Sequence, residues 1–328
     1  MMIRRAAVFA LFFASGALPV ATATPTVSVT SSIIKSFLPG SEQTAFGKLQ
    51  FMGGFAYSSR DSRLGGVSSI RFRPDGRQFV AVLDTGEWMT GAIARDSDGQ
   101  LEGLIDVSIT PMHSGSRKSI SKIDLDAEGL AMRQGELIVS FERRHRIEVY
   151  PDPGFSDALP RAMEMVIPKH ELRSNGGIET IAVAPSEGRL KGAPVAVAER
   201  SVDADGNLFA AVLEGPLKGV FKVARDEPWA VTDGAFLPEG DLLLLERRFS
   251  FTGGVGMRIR RIEGDRIRPG ALVDGEVLIE AGMEAEIDNM EGLDVIQGPG
   301  GDIRLILVSD NNKSFFQRNL MLEFRLTD

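Results

Sequence analysis

An all-β fold is predicted for this chain, a single β-propeller of five four-stranded blades closed by an N-terminal strand, and three observations predict it. From Gln50 onward, short β-branched or apolar runs alternate with Gly, Pro, Asp and Asn clusters. No long stretch holds a helical period. One pattern also recurs every 51 to 60 residues, the size of a blade with some long loops.

The repeat is an acid, a small or polar residue and an alternating apolar strand, then a turn and a second strand that ends in an acid, often followed by arginine. Four copies start at Glu128, Glu179, Asp233 and Glu291, and their second strands end at Glu142, Glu199, Glu246 and Asp310. A fifth copy, degenerate at its first acid, starts at Ser68 and ends at Asp84. Third and fourth strands follow at residues 146–150 and 162–167, 207–213 and 219–223, and 257–262 and 272–279. The last unit has only one further strand, 320–326, and residues 49–56 are expected to supply its missing partner, which also removes an open sheet edge. A sixth blade drawn from residues 114–126 or 26–40 is the alternative count.

The first residues read as an export signal: Arg4 and Arg5, an apolar stretch from Ala6 to Val20, and Ala21-Thr22-Ala23 as a cleavage site. The expected organisation is a signal peptide over 1–23, an N-terminal extension over 24–45 and the propeller over 46–328, in a periplasmic or secreted protein. The apolar run is short for a membrane span and no stop-transfer pattern follows, so no transmembrane anchor is expected in the mature chain. In 328 residues, 45 acids against 37 bases give a net charge of −8, which argues against nucleic acid as a partner. The lack of cysteine excludes disulfides, thiolate metal sites and a cysteine nucleophile. The chain has only three histidines, His113, His145 and His170, which argues against a multi-histidine zinc site or a histidine-dependent triad.

In a propeller blade the innermost strand leaves one face and the second strand returns to it, so both acid positions of every unit are expected at one central mouth. That gathers Glu128, Glu179, Asp233 and Glu291 with Asp84, Glu142, Glu199, Glu246 and Asp310. Like-charge repulsion would raise some of their pKa values unless cations intervene. Arg143, Arg200 and Arg247 are one solution, and a hard divalent cation on oxygen ligands, calcium above all, is the other. Asn175, Asn289, Asn311 and Asn312 could add neutral oxygens. The expected catalytic set is Glu128, Glu179, Arg143, Arg200 and Arg247. The expected metal set is Asp84, Glu142, Glu199, Asp233, Glu246, Glu291 and Asp310. The competing reading makes the acid and arginine pairs structural staples between blades. Two loops, 96–100 and 203–207, begin like calcium-binding loops but suit hairpin turns better. Basic stretches at 114–118 and 143–146 could hold an anion or belong to a charge-balanced face.

Asp-Ala-Glu-Gly-Leu (126–130), Ser-Phe-Glu-Arg (140–143), Gly-Gly-Ile-Glu-Thr-Ile (176–181) and Leu-Leu-Glu-Arg-Arg-Phe (244–249) resemble the bacterial phytase-like family, also described as having esterase-like activity. The resemblance covers residues 46–326. It implies a calcium-using propeller that cleaves phosphoesters, with a small anionic or ester substrate. A propeller lactonase or carboxylic esterase, and a scaffold that binds a ligand or a protein loop, are the alternatives.

Overall fold

The computed structural model describes residues 26–114, 124–250, 253–298 and 300–327. The expected signal segment 1–23 and residues 115–118 of one basic stretch lie outside the described residues. The chain opens with β1 (Thr30–Ile34), β2 (Ala45–Phe46) and β3 (Leu49–Ser58). Blade 1 is β4 (Val67–Phe72), β5 (Gln78–Leu83), β6 (Glu87–Arg95) and β7 (Leu101–Pro111); blade 2 is β8 (Ala127–Arg133), β9 (Glu136–Phe141), β10 (Arg146–Pro151) and β11 (Arg161–Met163). Blade 3 is β12 (Ile178–Val183), β13 (Pro194–Val202), β14 (Leu208–Val212) and β15 (Gly219–Val223). Blade 4 is β16 (Ala230–Phe236), β17 (Leu242–Ser250), β18 (Gly254–Ile262) and β20 (Glu276–Ala281). Blade 5 is β21 (Met290–Gln297), β22 (Ile303–Ser309) and β23 (Asn319–Leu326), completed by β3.

This is a five-bladed propeller with its ring closed by the N-terminal strand, as the repeat predicts. Segment 26–40 does not build a sixth blade: β1 pairs with β3 as a fifth strand of the closing sheet. The strand expected over 272–279 is two. Leu272–Val273, β19, runs parallel to β15 of the preceding blade, and only β20 completes blade 4.

The core is five wedges, one between each pair of neighbouring blades. Because a strand alternates its side chains, each second strand feeds two of them. In β17, Leu243 and Leu245 pack toward blade 5, whereas Leu242 and Leu244 pack toward blade 3. In β5, Phe79, Ala81 and Leu83 face blade 5, and Val80 and Val82 face blade 2. Both faces are covered, which is why these strands read as unbroken apolar runs.

The innermost strands β4, β8, β12, β16 and β21 contact one another in that order around the axis. Across that axis lies the guanidinium of Arg71 from β4. Its Nη2 is 2.8 Å from Asp233 Oδ1 on β16, and its two terminal nitrogens also donate to the carbonyls of Ile70, Ile181, Gly234 and Leu293. Four of the five blades therefore share one buried cation. Removing it would leave Asp233 as a fully buried, uncompensated charge. Arg71→Met is expected to lower the unfolding free energy in urea titrations by about 3–5 kcal/mol. Adding Asp233→Asn to it should recover part of that loss.

Candidate metal centre at the acidic mouth

The register of the inner strands decides which side chains reach the mouth. All five carry a β-bulge near their first residue, at Ser68, Glu128-Gly129, Glu179, Thr232 and Glu291. A bulge leaves one residue out of the ladder and re-aims its side chain. Here it turns Glu128, Glu179 and Glu291 toward the channel opening. Gly129 has room for no side chain, since a Cβ there would fall 2.6 Å from the Glu179 carbonyl oxygen of the next blade.

Blade 4 is displaced by one residue relative to the sequence alignment. Val231 pairs with Glu246, as Ala127 pairs with Phe141 and Ile178 with Ala198. The mouth positions of blade 4 are therefore Thr232 and Arg247, and the expectation that Asp233 and Glu246 line the mouth is not met. Asp233 sits one layer deeper against Arg71 and Ser69. Glu246 lies on the same side of β17 as Leu242 and Leu244, where Arg258 and Arg260 of β18 grip it at 2.5 and 2.6 Å. A one-residue slip moves every side chain of a strand to its other face.

The remaining acids do converge. Carboxylate oxygens of Asp126, Glu128 and Glu142 lie within 4.8 Å of one another, and so do those of Glu142, Glu179 and Glu199. Glu142 is common to both groups. It is fixed by the backbone N–H groups of Gly176 and Gly177 in blade 3, each donating to its Oε1 at 2.6 Å. A Cβ on Gly177 would fall 2.6 Å from the His145 ring, so glycine is needed for this approach. Asp310 is held in the same way by the Gly66 N–H at 2.6 Å. Asp84, from the second strand of blade 1, packs beside Gly66.

Arg247 occupies the slot that holds an acid in the other blades. It lies 3.0 Å from Glu291 and 3.6 Å from Glu199, and donates to the Asn289 side-chain oxygen. The arginines grouped from the sequence therefore hold two kinds of position. Arg143 and Arg200 stand at the rim, about half exposed, beside Asp126 at 2.5 Å and Glu199 at 3.2 Å. Arg144 and Arg146 are matched by Asp124 and Glu148, so the 143–146 stretch is charge-balanced. Asp96 and Asp203 each cap a hairpin turn through backbone N–H groups. Asp126 was not among the expected ligands, although its Asp-x-Glu spacing with Glu128 was visible in the sequence.

Burial, then the neighbouring carboxylates, pushes Glu128 and Glu179 well above the usual carboxylate range. Burial pushes Glu199 and Asp310 up as well, against the pull of nearby arginines and backbone donors. Glu291 is pushed up to about 7 by burial, despite Arg247. An all-oxygen donor set of clustered, mutually repelling carboxylates fits a hard divalent cation.

A family model described as phytase-like, esterase-like activity of phytase, matches residues 62–313. The chain belongs to the phytase-like family. No curated protein matches it. Among solved structures, the PQQ-bound aldose sugar dehydrogenase from Streptomyces coelicolor is similar at 13% identity over 92% of this chain and 99% of that one, with a TM-score of 0.46. The endo-arabinase from Bacteroides thetaiotaomicron is similar at 14% identity over 80% of this chain and 94% of that one, with a TM-score of 0.47. Among the described residues no helix is long and apolar enough to cross a membrane.

The raised carboxylates fix a sign for the pH dependence of stability. A carboxyl whose folded pKa exceeds its unfolded value binds its proton more tightly when folded, so stability falls as pH rises from the unfolded pKa through the folded one. For Glu291 that window runs from the ordinary glutamate value, 4.5, to about 7. In chelator, the melting temperature is expected to be lower at pH 8 than at pH 5, and Glu291→Gln is expected to flatten the decline. A melting temperature that rises over this interval would contradict the electrostatic description of the mouth.

Proposed function

We propose that the protein is an exported, calcium-dependent hydrolase of small phosphoesters that works at the acidic mouth. The observation that carries this reading is the pair of carboxylate groups sharing Glu142, beside two half-exposed guanidiniums. Asp126, Glu128, Glu142, Glu179 and Glu199 would hold the cation. When bound, calcium supplies charge neutralisation and Lewis-acid polarisation of a phosphoryl oxygen.

The chain's own residues supply the rest. Arg143 and Arg200, at the rim and open to solvent, bind phosphoryl oxygens, for which the guanidinium fork is suited. Arg247, deeper in the mouth, orients Glu291 and Glu199 and offsets their charge. Burial and neighbouring carboxylates raise the proton affinity of both Glu128 and Glu179, and whichever of the two the cation leaves free is suited to take a proton from an attacking water. No side-chain nucleophile is required.

A carboxylic ester or lactone is the second reading, favoured by the family description and by the acidity of the mouth, which disfavours a heavily charged polyanion. Export rests on the signal pattern in residues 1–23.

The test uses mature protein recovered from the periplasm, whose N-terminus near Thr24 also checks export. It is assayed with an aryl phosphate, phytate, an aryl acetate and a lactone, in calcium or in chelator. Calcium-dependent phosphate release that falls about 100-fold in Glu128→Gln, with the fold retained, is the expected outcome. Turnover of the acetate or lactone alone would replace the phosphoester with a carboxylic ester. No turnover of any substrate, with melting unaffected by chelator, would leave a binding scaffold.

A further inference from the structure

The channel has a second mouth, at the far ends of the inner strands, and Arg71 separates it from the acidic one. A cavity of about 720 Å3 opens there. Its walls are the last residues of all five inner strands, with Phe72, Met132, Val183, Phe236 and Ile296 giving it an apolar lining. A concave, largely apolar cavity of this size with a few convergent polar groups is the usual form of a small-molecule site.

The charge inside it is unbalanced in one direction. Three arginines line the cavity, but each is already matched: Arg71 by Asp233, Arg73 by Asp152, and Arg133 by Glu136 and Glu214. Asp294 is the exception. It is 9% exposed, it lines the cavity, and among the described residues it makes no ion pair. Six hydrogen bonds occupy the two terminal nitrogens of Arg71, and none goes to Asp294. Its side chain accepts the Phe72 N–H on Oδ2 at 2.6 Å and is also stabilised by the Val295 N–H, while the charge of Arg71, already bonded to Asp233, is shared between two carboxylates. A buried carboxylate beside apolar walls is costly unless it meets a cation or a donor.

We propose that this second mouth is a binding site for a small organic cation, a primary ammonium on an aryl or branched alkyl body, with Asp294 taking the ammonium and the ends of the inner strands taking the apolar part. Neither the family nor the hydrolytic reading of the acidic mouth assigns a ligand here, and the site stands whether or not that mouth is catalytic. The shape and the charge agree on the ligand. With Arg71 serving two carboxylates and Arg73 and Arg133 already paired, the surplus charge at the cavity is negative, which disfavours an anion, and a metal ion would find Asp294 and the Arg73-bound Asp152 rather than the six to eight oxygens calcium takes.

The experiment is a calorimetric titration of the mature protein with 1-naphthylmethylammonium, using 1-naphthylmethanol and 1-naphthoate as neutral and anionic isosteres. The ammonium is expected to bind roughly tenfold or more tightly than the alcohol, the size of a charge-assisted hydrogen bond, and the naphthoate more weakly still. Asp294→Asn, which keeps an acceptor for the Phe72 N–H, should abolish the preference for the ammonium. Val183→Trp, which fills the cavity, should abolish binding of both. Excess calcium and Glu142→Gln, acting at the other mouth, should leave the titration unchanged. The proposal is overturned if the ammonium does not bind, if its preference over the alcohol is absent or survives Asp294→Asn, or if calcium or Glu142→Gln removes binding and so places it at the acidic mouth.

Discussion

Everything in this molecule is arranged around a single buried guanidinium. Propeller blades have no covalent reason to meet at an axis; they are held there by wedges of apolar side chains that fill the space between sheets but leave the narrow end of each wedge facing a channel. Arg71 fills that channel from blade 1 and bonds to carbonyls of blades 3, 4 and 5 and to the Asp233 carboxylate. Its planar fork can satisfy several acceptors at once, which a lysine at the same place could not do. The result is a channel stopped in the middle, with two mouths of different chemistry. One is crowded with carboxylates, and the other is largely apolar, with paired arginines and the single carboxylate Asp294 that makes no ion pair among the described residues.

The acidic mouth depends on a second constraint, the one-residue displacement of blade 4. If that blade kept the register suggested by its sequence, the ring would gain two carboxylates and lose its internal cation. The displacement sends Asp233 inward to Arg71, turns Glu246 to the opposite sheet face against Arg258 and Arg260, and brings Thr232 and Arg247 to the opening. Arg247 then stabilises the ionised forms of Glu291 and Glu199 on one side of the ring. On the other side Asp126, Glu128, Glu142 and Glu179 are left facing one another, with Glu199 at the boundary, and these carboxylates could hold a divalent cation. The asymmetry of charge around a pseudo-symmetric ring thus follows from a slip of one residue in one blade.

Much of this was legible in the sequence. The period, the alternating strands and the closure by residues 49–56 follow from patterning that any two-sided buried sheet must show. Glu128, Glu142, Glu179 and Glu199 were legible because each sits at the same place in its repeat. Asp233 and Glu246 misled because Asp233-Gly234 imitates Glu128-Gly129 and Glu246-Arg247 imitates Glu142-Arg143 one residue out of phase, and only the strand pairing reveals the offset. Arg71 was hidden for another reason. It occupies an ordinary strand position in the most degenerate repeat, and nothing in its local sequence indicates that its partners on other blades lie 110 to 222 residues away. Asp294 was hidden likewise, reading as one more polar residue in an alternating strand.

The most direct measurement is anomalous diffraction from crystals of the mature protein soaked in manganese, a cation that shares calcium's preference for oxygen ligands. The account predicts a peak at the acidic mouth within coordination distance of Glu142, with further ligands from Glu128 and Asp126 or from Glu179 and Glu199. A peak centred on Asp233 or Glu246, or no peak at the mouth in well-ordered crystals, would contradict it.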